Sequence, residues 1–297
     1  MIQTDLIAAP ASRTETPLPR AIVHRTRGHR HGPITRLMSP GDLGQIVKPF
    51  VFLDLFEADS LGGGGFAPHP HSGLATHTTF LKGEVGYGDS TGQVGTLSDG
   101  SIEWMSAGSA VWHTGFPVEG KPILGYQLWV ALPETLELSP PESQYLGADA
   151  VQEAGPVRLL LGQYQTLSSP IRLPVSLTYL HVRLRDGERW IYEPASDHDV
   201  AWLALNTGRL RVGEAVLQRE MAVFEDGSAP IEVLAEGDVE FVIASSARHP
   251  HPLVTGSYSV HTSHEALAKG EANIVALSRT PAVQALHALG KAPAGGR

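Results

Sequence analysis

Gly62-Gly63-Gly64-Gly65-Phe66-Ala67-Pro68-His69-Pro70-His71, followed at a distance by Trp104-Met105-Ser106-Ala107-Gly108-Ser109-Ala110-Val111-Trp112-His113, is the stretch that decides how this chain folds. Side chains two apart on a β-strand point the same way, so His69 and His71 can aim both imidazoles at one point inside a barrel. His113 completes a face of three nitrogens. Neutral imidazole suits iron, zinc, nickel and copper, and a site with positions left open for water or substrate is the usual arrangement for a reactive metal. The plainer alternatives are a polar His-Pro-His turn and a hydrogen-bonded core histidine beside Trp112. The glycine run before the pair, the strand-like residues 76–81 after it and the Lys82-Gly83 turn favour the metal reading. His29-Arg30-His31 and His249-Pro250-His251 have the same spacing without that setting and read as solvated loops.

Outward from this stretch, short apolar runs recur at residues 50–55, 76–81, 101–105, 110–113 and 123–132 with turn residues between them, the rhythm of a β-barrel. Residues 133–156 are rich in proline and glutamate and read as a connection. A second strand series follows at 200–205, 215–218, 221–224, 231–234 and 239–244. Asn206-Thr207-Gly208-Arg209 mirrors Leu81-Lys82-Gly83-Glu84 as a tight hairpin, which points to an internal duplication. The histidine pair does not repeat. Asp197-His198-Asp199 stands near the matching place, but no later histidine precedes His249, so the second barrel is expected to be structural. Residues 263–268, with Ser263 before Glu265, and residues 282–289 are expected to be helical. The expected fold is all-β: two barrels in one chain with short C-terminal helices. Its boundaries are an extended arm at 1–20, a first domain at 21–135, a connection at 136–156, a second domain at 157–262 and a helical segment with a tail at 263–297.

The 297 residues exceed what one compact core usually holds. With 42% hydrophobic and 18% charged residues, the chain is globular rather than disordered, and 32 Gly and 22 Pro fit many turns. A net charge of −9 leaves no electrostatic footprint for nucleic acid. Arg20, His24, Arg25, Arg27, His29, Arg30 and His31 do cluster, but acidic residues follow, and a solvated arm is expected there. The absence of Cys excludes disulfides, thiolate metal sites and cysteine nucleophiles. No stretch is long and apolar enough to span a bilayer and no signal-like core opens the chain, so a soluble cytoplasmic protein is expected.

His69-Pro70-His71-Ser72-Gly73, Glu103-Trp104-Met105-Ser106-Ala107-Gly108 and Tyr126-Gln127-Leu128-Trp129-Val130-Ala131-Leu132-Pro133 together resemble the pirin family of bicupins, in order as well as spacing. Lys48-Pro49-Phe50-Val51-Phe52-Leu53-Asp54-Leu55-Phe56 and, more faintly, Gly256-Ser257-Tyr258-Ser259-Val260-His261-Thr262-Ser263 extend the resemblance over about residues 30–275. It implies two cupin (jelly-roll-like) barrels with a metal in the first, generally iron, held by three histidines and a glutamate. His69, His71 and His113 fall on the histidine positions. The glutamate expected two residues after the last histidine is Gly115, and the position four after His71 is Ala75, so neither motif supplies a carboxylate. A carboxylate would offset metal charge and serve as a base for a substrate hydroxyl. His77, six residues beyond His71, is a candidate replacement ligand if the pleat is regular; otherwise it is a strand histidine bonded to its neighbours.

The resemblance therefore implies a metal-dependent oxygenase for a small aromatic such as a flavonol, impaired by Gly115. Fe(II) is the expected metal, with Zn, Ni or Cu, or a metal-free state, as alternatives. Phe66, Phe80, Trp104, Trp112, Phe116 and Tyr126 either line an aromatic pocket or belong to the core. The rival reading is a non-enzymatic regulator that acts on a protein partner with weak metal or none. Ser101, Ser106 and Ser109 near His113 lack a nucleophile elbow and a paired Asp, and the glycine run lacks the Lys-Ser/Thr of a phosphate loop.

Overall fold

The computed structural model describes residues 20–59, 65–118 and 121–289. Residues 1–19 of the expected arm, the tail from residue 290, and Gly62 to Gly64 of the glycine run lie outside the described residues. Two β-sandwich barrels stack through one sheet of each. The first combines a seven-stranded sheet with a four-stranded one, and the second is a nine-stranded sheet folded over its own core. These are two jelly-roll-like cupin barrels, an all-β fold with short helices.

Alternation along the shared strands explains the layers. In the Phe50–Ala58 strand, Leu53 and Leu55 face the other barrel while Phe52, Asp54 and Phe56 face inward. In Ile123–Ala131, Tyr126, Leu128 and Val130 face out and Gln127 and Trp129 face in. The second barrel answers with Tyr179, Trp202, Ala204, Val242 and Ala244, so one apolar core joins the two sheets. The opposite faces of those strands, with Leu180, Val182, Leu203 and Phe241, close on the second barrel's own core. Each strand thus carries apolar residues on both faces, as in a buried sheet.

Several segments cross the boundaries drawn from the sequence. Ile22–Thr26 is an edge strand of the second barrel paired with Met221–Phe224, and Arg25 donates to both carboxylate oxygens of Glu220 at 2.9 and 2.7 Å. Buried Arg20 donates to the carbonyls of Glu225 and Asp199. This basic stretch is therefore partly built into a sheet. Within the expected connection, Glu142–Leu146 pairs with Ile102–Ser106 of the first barrel. The Asn206 to Arg209 hairpin is not formed. Those residues lie inside the continuous strand Val200–Val212, where the register shifts twice and Gly208 takes φ +83°. Bulges bend a strand without ending it, which lets one long strand serve both walls of the barrel.

The C-terminal segment returns to the first barrel. Val254–Thr255 and Val260–His261 pair with each other, and Ser259 bridges Ser72 beside the His-x-His strand. Gly73 marks how close this approach is: it has φ +76°, and a Cβ there would stand 2.0 Å from the Val260 carbonyl. Helix His264–Ser278 begins at Ser263, whose side chain accepts from the Ala266 N–H, and Pro281–Leu289 follows. The Trp112 indole donates to the Ile274 carbonyl at 3.2 Å, fixing the helix against the outside of the metal-site strand.

Candidate metal centre

His69 and His71 lie on Phe66–His71, and His113 on the neighbouring Val111–Pro117. The antiparallel register pairs His69 with His113 and His71 with Val111, so the three histidines occupy three corners of a cross-strand square on the inner face. One ring nitrogen from each lies within 4.8 Å of the others. His69 Nδ1 is 2.8 Å from the Ala67 carbonyl and so carries the proton. That leaves the bare Nε2 lone pair facing His113 Nε2 at 2.9 Å. Two nitrogens bound at right angles to one ion at about 2.0–2.1 Å would sit about that far apart.

The buried state suits a cation. Both ring nitrogens of His71 are buried without a hydrogen-bond partner among the described residues, an arrangement that costs roughly 1–3 kcal/mol if nothing else binds them. Burial, then the neighbouring His113, push His69 down to about 3, and burial with His113 and His69 holds His71 well below the ordinary imidazole range. Neutral imidazoles with converging lone pairs are what a divalent ion requires. The three residues fit a metal.

His77 is not brought to this cluster. It is fully buried on the outer face of Leu74–Lys82, its ring centroid 5.4 Å from that of Tyr179 in the second barrel. The corner at Gly73 separates the two strands and resets the pleat, so counting from His71 in steps of two fails. Gly115 faces the cavity, and an added Cβ would meet only Phe66 at 3.4 Å and Val85 at 3.5 Å. Its φ is outside the left-handed region, so glycine is not demanded there by the backbone.

A cavity of about 770 Å³ opens beside the histidines. Of the aromatic candidates, Phe66 and Phe80 line it, whereas Trp104 and Tyr126 belong to the core between the barrels. Phe52, Phe56, Tyr87 and Trp129 line it as well, and inward alternation of their strands was the signal that could have found them. Polar groups in the wall are the Arg36–Asp54 pair, with Arg36 Nη2 donating to Asp54 at 3.1 Å, together with Gln127 and Glu103. Burial raises the Asp54 carboxyl pKa, with Arg36 opposing the shift. Tyr258, from the returning C-terminal segment, stands half-exposed with its ring 6.2 Å from those of both His69 and His71.

Ser101, Ser106 and Ser109 form no triad with His113 among the described residues. Ser72 does meet His261 Nε2 at 3.0 Å, with His261 Nδ1 3.3 Å from Glu137. All three are buried beneath Gly270 and Gly73, so this array clamps the C-terminal segment to the metal strand. His249, read as part of a solvated loop, is instead buried, its Nε2 3.1 Å from the Leu132 carbonyl.

Two stacked jelly-roll barrels with three histidines converging in one of them define a bicupin with a candidate metal site. Residues 32–130 match the pirin family. A pirin-like protein of Caulobacter vibrioides is 31% identical over 220 residues, which cover 71% of this chain and 79% of that protein. A Pseudomonas aeruginosa protein named "Putative quercetin 2,3-dioxygenase" is 30% identical over 254 residues, 78% of this chain and 87% of that protein. A solved quercetin 2,3-dioxygenase from Acinetobacter baumannii shares the fold with a TM-score of 0.80 at 22% identity, covering 86% of this chain and 96% of that one. A bacterial pirin from Escherichia coli, solved in complex with nickel(II), superposes with a TM-score of 0.59 at 20% identity over 77% of this chain and 96% of that one. The chain belongs to the pirin family. Among the described residues, no helix is long and apolar enough to cross a membrane.

Proposed function

We propose that this protein is a metal-dependent oxygenase for a small hydroxylated aromatic of the flavonol type, working in the first barrel with iron(II) as its resident metal. The observation that carries the reading is the convergence of three imidazoles, with His69 on the wall of an aromatic-lined cavity of about 770 Å³, within the size range of small-molecule sites. The names of the Pseudomonas and Acinetobacter relatives support the substrate class. His69, His71 and His113 would hold the ion, which supplies Lewis acidity and a route for electrons to dioxygen. Phe56 and Trp129 offer aromatic surface for a planar ring system, Phe52 being held between Trp129 and the Arg36 guanidinium, and Arg36, Asp54 and Gln127 offer donors and acceptors for its hydroxyls. A reducing cytoplasmic setting, expected from the sequence, would keep the iron ferrous.

A second reading, a non-enzymatic pirin-like protein acting on a protein partner with weak metal or none, is favoured by one observation. Position 115, where the family resemblance places a carboxylate, is glycine. Iron reconstitution followed by oxygen uptake with quercetin separates the two. Uptake that depends on iron and on His113 supports the oxygenase. Bound iron with no uptake across a set of flavonols supports the binder.

A further inference from the structure

We infer that Glu103 is the carboxylate of this site, acting as a positioning residue behind His113 in place of the one that Gly115 cannot supply. The inference rests on the three-histidine metal reading. Glu103 lies on Ile102–Ser106, in the sheet opposite the strands that carry the histidines, and is 6% exposed. Its neighbours Ile102 and Trp104 face the core between the barrels, so alternation turns Glu103 into the cavity. There the Thr78 hydroxyl donates to Oε2 at 2.7 Å, which fixes the carboxylate plane. Oε1 then stands 3.8 Å from His113 Nδ1.

That nitrogen is the one turned away from the cluster, since His113 Nε2 faces His69 at 2.9 Å. A ligand histidine usually sends its second N–H to a carboxylate or carbonyl, which fixes the tautomer and ring orientation and makes the ligand nitrogen more basic. Glu103 is placed for that role, and a modest closing of the gap would make the bond. A buried carboxylate with one hydroxyl donor and no Arg or Lys partner among the described residues is otherwise costly, and a cation bound through His113 offsets the cost. Gly115 and Glu103 border the same cavity from opposite sheets. With position 115 empty, the negative charge comes from the other wall and reaches the metal through the imidazole.

Glu103→Gln is isosteric and keeps an oxygen or amide for Thr78, so it tests the charge while sparing the packing. Titration of the full-length metal-free protein with Co(II), read by its visible absorption bands and by competition with a chelator, compares wild type, Glu103→Gln and His113→Ala. The expected result for Glu103→Gln is Co(II) affinity lower by about 10-fold to 100-fold with shifted bands, and a metal-free melting temperature no lower than wild type. A second variant, Glu103→Asp, keeps the charge and should recover part of the affinity. If His113→Ala abolishes the bands while Glu103→Gln matches wild type in affinity and spectrum, the inference is overturned and the three-histidine site stands. If wild type shows no bands, or His113→Ala leaves them intact, the site itself is wrong and the inference falls with it.

Discussion

Inside the folded sheet of the second barrel, Leu180, Val182, Leu203, Phe241 and their neighbours pack into one apolar core, whereas the interior of the first barrel holds three histidines, a cavity of about 770 Å³ and an Arg36–Asp54 pair. Both barrels carry apolar residues on the faces they share, so the stacking interface is common property. What differs is the inner face alone. At that face one barrel has exchanged packing for a site, and the other carries the apolar burial that stabilises the pair. One buried polar group of the second barrel, His198, is bonded to Ser245 at 2.7 Å and to Ser176 at 3.0 Å, and joins no histidine cluster among the described residues.

This contrast can be broken in four ways. The largest effect should come from emptying the filled barrel. Phe241→Ala should destabilise the protein by about 3–5 kcal/mol, and Phe80→Ala, at the cavity wall, by about 1–2 kcal/mol less. Urea titrations of both variants measure this, and equal losses would mean that the first barrel is as tightly packed as the second. Next, His113→Ala should lower metal affinity on the order of 100-fold, about 2.7 kcal/mol, with His198→Ala leaving it unchanged. Metal analysis after dialysis reads both, and loss of metal from His198→Ala would place a site in the wrong barrel.

The third effect concerns pH. Burial pushes fully buried His77 down to about 3 in the folded protein, below the roughly 6.5 of an exposed imidazole. Below about pH 6.5 the unfolded chain therefore binds a proton that the folded chain refuses, and stability falls as pH drops. His77→Leu should remove about 2 kcal/mol of the stability difference between pH 7 and pH 5. Denaturant midpoints at the two pH values test this; an unaltered difference would show that His77 is not held neutral at the interface. The smallest effect is expected from Gly115→Glu. It has room at Cβ and an unrestricted backbone, and should raise metal affinity about tenfold without lowering the melting temperature. A drop in melting temperature would mean that the cavity does not admit the longer side chain.

Much of the site was readable because its logic is local. His69 and His71 are two apart on one strand, and the family motif carried His113 with them. The helix start at Ser263 was readable for the same reason, since a capping side chain acts within its own turn. Of the two readings of His77 the strand histidine holds and the ligand fails, because a corner at Gly73 breaks the two-residue count, and Asn206 to Arg209 are a bulged strand and not a hairpin, two forms that use the same residues. The aromatic residues divided between cavity and interface according to strand phase, which composition does not reveal.

By itself the sequence determined that the fold is all-β and duplicated, and it singled out three histidines of the first half that the structure brings within 4.8 Å of one another. Those properties follow from a strand's period of two and from residue chemistry, both of which act over a few positions. Only the tertiary structure decided that the N-terminal strand completes the second barrel and that the C-terminal segment closes over the first. It alone set Glu103 behind His113, ten residues apart in the chain but on opposing sheets. Such contacts depend on which strands pair and which faces meet, and pairing between distant strands is a property of the whole sandwich that no local spacing records.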